Sequence, residues 1–181
     1  MSIIVIDAGH GGKDGGATGN GLIEKNLALE MVLNVEEQLK TRKGVKVHLT
    51  RKSDVFVPLN ERASKANELN SNLFVSFHHN AGGGTGFESY IYPGLKNTLT
   101  EKIQQVMHKK VMSFMKLYNI PDRGQKEADF VVLKKTKMPA ILLENLFLDS
   151  IQDAALLKDS IFKKKLSKTI ADCIADIASK L

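Results

Sequence analysis

The chain has one cysteine, few aromatic residues, no apolar run long enough to span a membrane and no Gly-Lys-Ser/Thr phosphate signature. A lone Cys173 has no internal disulfide partner, and its place on an apolar stripe of helical spacing assigns it to core packing. A membrane-crossing helix needs about 20 apolar residues in a row, so a soluble protein with no membrane insertion is expected. Aromatic residues make up 6% of the chain and no base-reading motif is present, which argues against nucleic acid as a partner. Strand-like residues follow Met1 directly, without a basic region, a long apolar core or a cleavage site. The expectation is therefore a chain without a secretory signal, made in the cytoplasm and released by lysis or another export route.

What is present bounds the rest. At 181 residues with 43% apolar content, the chain is read as one domain spanning residues 1–181 that buries its own core. Lys and Arg number 26 against 20 Asp and Glu, and the net charge of +6 favours a polyanionic partner without naming one.

The apolar, β-branched run Ile3-Ile4-Val5-Ile6 reads as a buried strand and stops in Asp7-Ala8-Gly9-His10-Gly11-Gly12. In open α/β sheets ligands bind outside the carboxyl ends of the strands, which is where this imidazole falls. The same switch recurs at Leu73-Phe74-Val75-Ser76-Phe77-His78-His79-Asn80 and at Ala140-Ile141-Leu142-Leu143-Glu144-Asn145. Leu27, Met31, Val35 and Leu39 mark a helix from Glu24 to Arg42. Further helices are expected over Leu59 to Leu69, along the stripe Leu99 to Tyr118, and from Ile161 to Leu181. Strands are expected at Gly44 to Leu49, Phe87 to Tyr92 and Phe130 to Leu133. His48 reads as a surface or packed residue and His108 as off its stripe and exposed; Arg51, Asp54 and Arg62 read as a structural ion-pair set or a substrate contact, with structure favoured. The fold class is α/β, a single domain with a twisted, mostly parallel sheet of about six strands flanked by about five helices.

Two His and one Glu form the ligand set of a catalytic zinc site, and a further carboxylate supplies the base. His10, the His78/His79 pair, Glu24 and Glu144 offer these groups. Glu24 has two readings, an acid at a helix N-terminus or a carboxylate aimed at His10. Neighbouring residues of an extended chain point to opposite sides, so one of His78 and His79 faces a given metal, and spacing does not say which. The residues alone reach a metal-dependent hydrolase whose acyl group and amine are unspecified.

The blocks Asp7-Ala8-Gly9-His10-Gly11-Gly12-Lys13-Asp14-Gly15-Gly16-Ala17, Glu24-Lys25, Leu49-Thr50-Arg51, Arg62 with Ala66-Asn67, Ser76-Phe77-His78-His79-Asn80-Ala81 and Leu143-Glu144-Asn145-Leu146-Phe147 occur in that order. Together they resemble the signatures of the zinc-dependent N-acetylmuramoyl-L-alanine amidases, peptidoglycan hydrolases of autolysins, sporulation lysins and phage endolysins. The resemblance implies that His10, Glu24 and His78 bind zinc and that Glu144 is the catalytic acid/base. It also implies a substrate contact at Asn80, peptidoglycan as partner, action at the bacterial cell wall, and a monomer. An anionic wall polymer would match the positive charge. The competing expectations are another zinc peptidase or deacetylase acting on cell-wall glycopeptide, and an inactive wall-binding module. The chain departs from the pattern at Ala8, where proline is common, and at His79, where a small or apolar residue is common. One domain over residues 1–181 leaves no room among them for the separate wall-binding module that many relatives carry, so the catalytic domain is expected to find the wall unaided unless the chain is part of a longer protein.

Overall fold

The continuous apolar runs of the sequence become the central strands of one sheet. In the computed structural model, which describes all 181 residues, the strands are β1 (Ser2–Ala8), a short ribbon of β2 (Thr18–Gly19) and β3 (Leu22–Ile23), β4 (Val45–Leu49), β5 (Leu73–Asn80), β6 (Phe87–Ile91), β7 (Asp122–Glu127) and β8 (Ala140–Phe147). The helices are α1 (Glu24–Leu39), α2 (Leu59–Glu68), α3 (Leu99–Met115), α4 (Val131–Lys134), α5 (Ile151–Lys158) and α6 (Ser160–Ala178). Six strands form the main sheet in the order β4-β1-β5-β8-β6-β7. All its pairings are parallel except that of β6 with β8. The α/β class, the mostly parallel sheet and its six strands are as expected.

Alternation along each strand divides the molecule into two unequal layers. Ile4, Ile6 and Ala8 of β1 face the large core of 33 buried residues, which α1, α3 and α6 close. Val5, Phe74, Ala140 and Leu142 face a small core of seven, covered by Ala66 of α2 and by Val132 and Leu133 of α4. The thin layer leaves the carboxyl ends of β1, β5 and β8 reachable from that side. All three strands run the same way, so these ends lie along one edge of the sheet.

Several expectations need correction. Phe130 to Leu133 is not a strand: Val131–Lys134 is one helical turn, with the Phe130 carbonyl accepting from the amides of Leu133 and Lys134. A four-residue apolar run fits either period. Both edges of β8 are already paired, and the free edge of β6 is taken by β7, a strand the sequence pattern does not mark. Being an edge strand, β7 leaves one side to water and needs no apolar run. Helices α4 and α5 are short additions to the four long helices expected, within the overall expectation of about five; α5 starts at Ser150, whose side chain accepts from the Asp153 amide. The last strand continues past Glu144 to Phe147, and α1 ends at Leu39 instead of Arg42. His108 is buried, not exposed: Nδ1 lies 2.9 Å from Ser89 Oγ and Nε2 2.9 Å from Asp122 Oδ1. Cys173 is buried in the large core as expected.

Candidate metal centre

His10 follows β1, Glu24 opens α1 and His78 lies near the end of β5; the chain path brings one donor atom of each within 4.8 Å of the others. Glu24 is the hub. Its Oε1 is 3.1 Å from His10 Nε2 and 2.9 Å from His78 Nδ1, while its Oε2 accepts from the Ala17 amide at 2.8 Å. A carboxylate acting only on its own helix dipole would lie beside its own first-turn amides. This one is instead buried between two imidazoles.

Phe74, Ser76 and His78 share the thin-layer face of β5, while His79 points into the large-core side. There the His79 Nδ1 meets the Asn145 carbonyl at 2.6 Å, and burial holds its pKa down at about 4. The adjacent histidines thus diverge, and the one turned to Glu24 is His78.

Glycine explains how closely these groups pack. A Cβ on Gly9 would stand 2.4 Å from His78 Cε1 and 2.6 Å from its Nε2; a Cβ on Gly16 would stand 2.6 Å from Glu24 Oε2 and 2.7 Å from His10 Cδ2. The glycine-rich loop is therefore shaped around three side chains and not around a phosphate.

Burial opposes ionisation of Glu24, but hydrogen bonds to His10, His78 and the Ala17 amide outweigh it and hold the carboxyl far below its usual range. Burial likewise opposes protonation of His10, and the Glu24 and Asp14 carboxylates reverse this and raise its pKa. The site is thus a fixed anion between two imidazoles, a donor set suited to a divalent cation. His10 Nδ1 meets Asp14 Oδ2 at 2.9 Å, the outer carboxylate that a metal-ligating histidine commonly has. Asp14 went unread in the sequence; its only signal is a spacing of four from His10 within a glycine-rich loop.

Glu144 stands beside this cluster. It pairs in register with His78 on one side and with Glu88 on the other, and both it and the cluster line a cleft of about 440 Å³. Its Oε2 is buried and has no hydrogen-bond partner. Burial, with help from the charges of Glu24 and Glu88 and against His78, pushes its pKa up to about 7. Leu59, Phe130, Val131, Val132 and Leu142 give one part of the wall an apolar surface, with Asp129 beside them. Asn80 lines the same cleft, and its Nδ2 donates to Glu88 Oε1 at 2.6 Å. Glu88, another residue whose role was not anticipated, also accepts from Tyr90, Arg123 and Lys126. His48 lies on β4 at the far edge of the sheet, outside the cluster. Arg51, Asp54 and Arg62 do not form one ion-pair set: Arg62 pairs with Asp7, Asp54 with Lys25, and Arg51 donates only to backbone carbonyls.

Known proteins share both the sequence and the fold. The chain is 47% identical over 177 residues to an endolysin of Bacillus phage SPP1, a match covering 97% of this chain and 65% of that protein. It is 46% identical over 169 residues to a sporulation-specific N-acetylmuramoyl-L-alanine amidase of Bacillus subtilis, covering 93% and 65%. The chain therefore spans just under two thirds of the length of these two relatives. The catalytic domain of CwlV, an N-acetylmuramoyl-L-alanine amidase from Bacillus (Paenibacillus) polymyxa, superposes with a TM-score of 0.91 at 36% identity, over 99% of both chains. The N-acetylmuramoyl-L-alanine amidase family model matches residues 4–176, nearly the whole length, and the chain belongs to that family.

Proposed function

We propose that the chain is a zinc-dependent peptidoglycan hydrolase that cleaves the amide between the lactyl group of N-acetylmuramic acid and the L-alanine of the stem peptide. The observation that carries this reading is the convergence of His10, Glu24 and His78 within 4.8 Å, beside a buried carboxylate with an unpartnered oxygen. His10, Glu24 and His78 would hold the metal. Zinc bound there would supply Lewis-acid polarisation of a carbonyl and would acidify a water.

Glu144 takes the proton of the attacking water as its oxygen bonds to the lactyl carbonyl carbon. The same carboxyl then returns that proton to the L-alanine nitrogen as the C–N bond breaks, leaving a free carboxylate and a free amine. Burial raises the pKa of this carboxyl in the metal-free chain, the direction that lets it return a proton as well as accept one. Asp14 holds the His10 ring so that Nε2 faces Glu24. Asn80 lines the cleft and, with one amide N–H beyond its bond to Glu88, is the proposed substrate contact. The net charge of +6 favours approach to an anionic wall polymer, and action at the bacterial cell wall follows from this substrate.

Metal analysis of the purified chain, paired with an assay for newly exposed L-alanine amines on muropeptides, tests the reading. One zinc per chain is expected, with activity abolished by a chelator and restored by added zinc. Full amide cleavage by metal-free protein, or release of a different group, would end it.

A further inference from the structure

His10 has a backbone φ of 59°, in the left-handed region that residues with a Cβ rarely adopt. The groups that hold it there lie beneath the cleft. Arg62 donates through Nη2 to the His10 carbonyl at 2.6 Å, through Nη1 to the Ala8 carbonyl, and through Nε to the Val57 carbonyl at 2.8 Å. Arg51 donates through Nε to the Ala8 carbonyl at 3.1 Å and through Nη2 to the Gly9 carbonyl at 2.8 Å. Three consecutive carbonyls, those of Ala8, Gly9 and His10, are thus captured by two guanidinium groups.

Arg51 reaches further. The same Nη2 also donates to the carbonyl of Lys25 at 2.8 Å, one residue past Glu24. One side chain therefore ties the turn carrying His10 to the helix start carrying Glu24. Both arginines are almost wholly buried, and Asp7, fully buried, accepts from Arg62 at 2.9 Å, Thr50 at 2.7 Å and Ser76 at 2.6 Å. A buried ion pair adds little net stability over apolar packing, so fold stability alone is a poor reason for two buried cations at one turn. Capture of the carbonyls is a better one, since only a guanidinium fork reaches several acceptors at fixed angles.

We infer that Arg62, anchored by Asp7, and Arg51 are positioning residues that set His10 against Glu24 for metal binding; this rests on the zinc reading above. Arg62→Lys and Arg51→Lys keep the charge and lose the fork. The test is the zinc dissociation constant of each folded variant by competition with a chromophoric chelator, beside the thermal midpoint of the metal-free protein. Zinc affinity should fall about 10- to 100-fold, the range for loss of an outer partner of a metal ligand. Arg51→Lys leaves the Asp7–Arg62 pair in place and decides the matter if Arg62→Lys unfolds. A variant with a lowered midpoint and wild-type zinc affinity overturns the inference alone, because that is what a purely structural role produces. A wild-type chain that takes up no zinc overturns the metal reading and this inference with it.

Discussion

Glu144 has a buried carboxylate oxygen with no partner, on a strand whose neighbours in register are a histidine and another glutamate. An unpaired carboxyl in that setting costs stability and is expected where a reaction uses it. Glu144→Gln keeps the shape and removes the titrating oxygen. The variant should fold, bind zinc like the wild type, and turn over roughly 10²-fold slower or worse, the usual range for a lost general acid/base. Muropeptide amine release and metal content measured on the same preparation check this. Loss of zinc would make Glu144 a ligand, and near-normal turnover would take it out of the mechanism. The two readings of Glu24 separate on similar grounds. A helix-dipole acid has no need of burial between two rings, whereas this one is enclosed and accepts an amide from the preceding loop.

At the scale of elements, the site depends on parallel strands ending together and on a loop without side chains where they end. Gly9 is in ordinary backbone conformation, so its constraint is purely one of space: the His78 ring occupies the position a Cβ would take. Gly9→Ala should therefore move that ring while leaving both cores intact, lowering zinc affinity well beyond its effect on metal-free stability. Chelator competition beside a urea melt separates the two. Equal zinc affinity would mean that the ring yields without consequence. The elements that the sequence reveals are those whose burial is continuous. β1 and β8 carry unbroken apolar runs and β5 one interrupted only by Ser76, and the stripe Leu27, Met31, Val35, Leu39 is buried along its whole length in α1. β7 escapes because an edge strand is satisfied by water on one side, and α4 because four apolar residues carry no period. His10 and the His78/His79 pair were legible as chemistry at strand ends, whereas the choice of His78 and the ligand reading of Glu24 came only from the family resemblance. Asp14, Glu88 and the arginine clamp were not legible, because each acts through a partner that only the tertiary path brings near. His108 was misplaced for the same reason, its partners Ser89 and Asp122 lying on β6 and at the start of β7.

For the molecule as a whole, Glu88 joins the three strands at the active edge. It accepts from Asn80 of β5, from Tyr90 of its own strand β6, and from Arg123 and Lys126 of β7. Burial raises the pKa of its carboxyl, but the bonds from Lys126, Tyr90 and Arg123 more than offset this and lower it. A carboxyl whose pKa is lower folded than unfolded adds stability that is complete above its ordinary value near 4.5. That contribution fades as pH falls through the folded value, where the native state finally takes up the proton. Glu88→Gln removes the charge but not the bulk. At neutral pH the variant should be less stable by about 1.5–3 kcal/mol, the scale of hydrogen bonds to a charged group. Arg123 and Lys126 reach partly into solvent, which keeps the cost of leaving them unpaired modest. The gap should narrow as pH drops below 4, because a protonated Glu88 has no more charge than the glutamine. Urea denaturation of metal-free wild type and variant along a descending pH series reads this directly, with chelator present so that zinc uptake does not enter. A gap that stays constant down to the acid limit of folding would show that the charge of Glu88 does not hold β7 to the sheet.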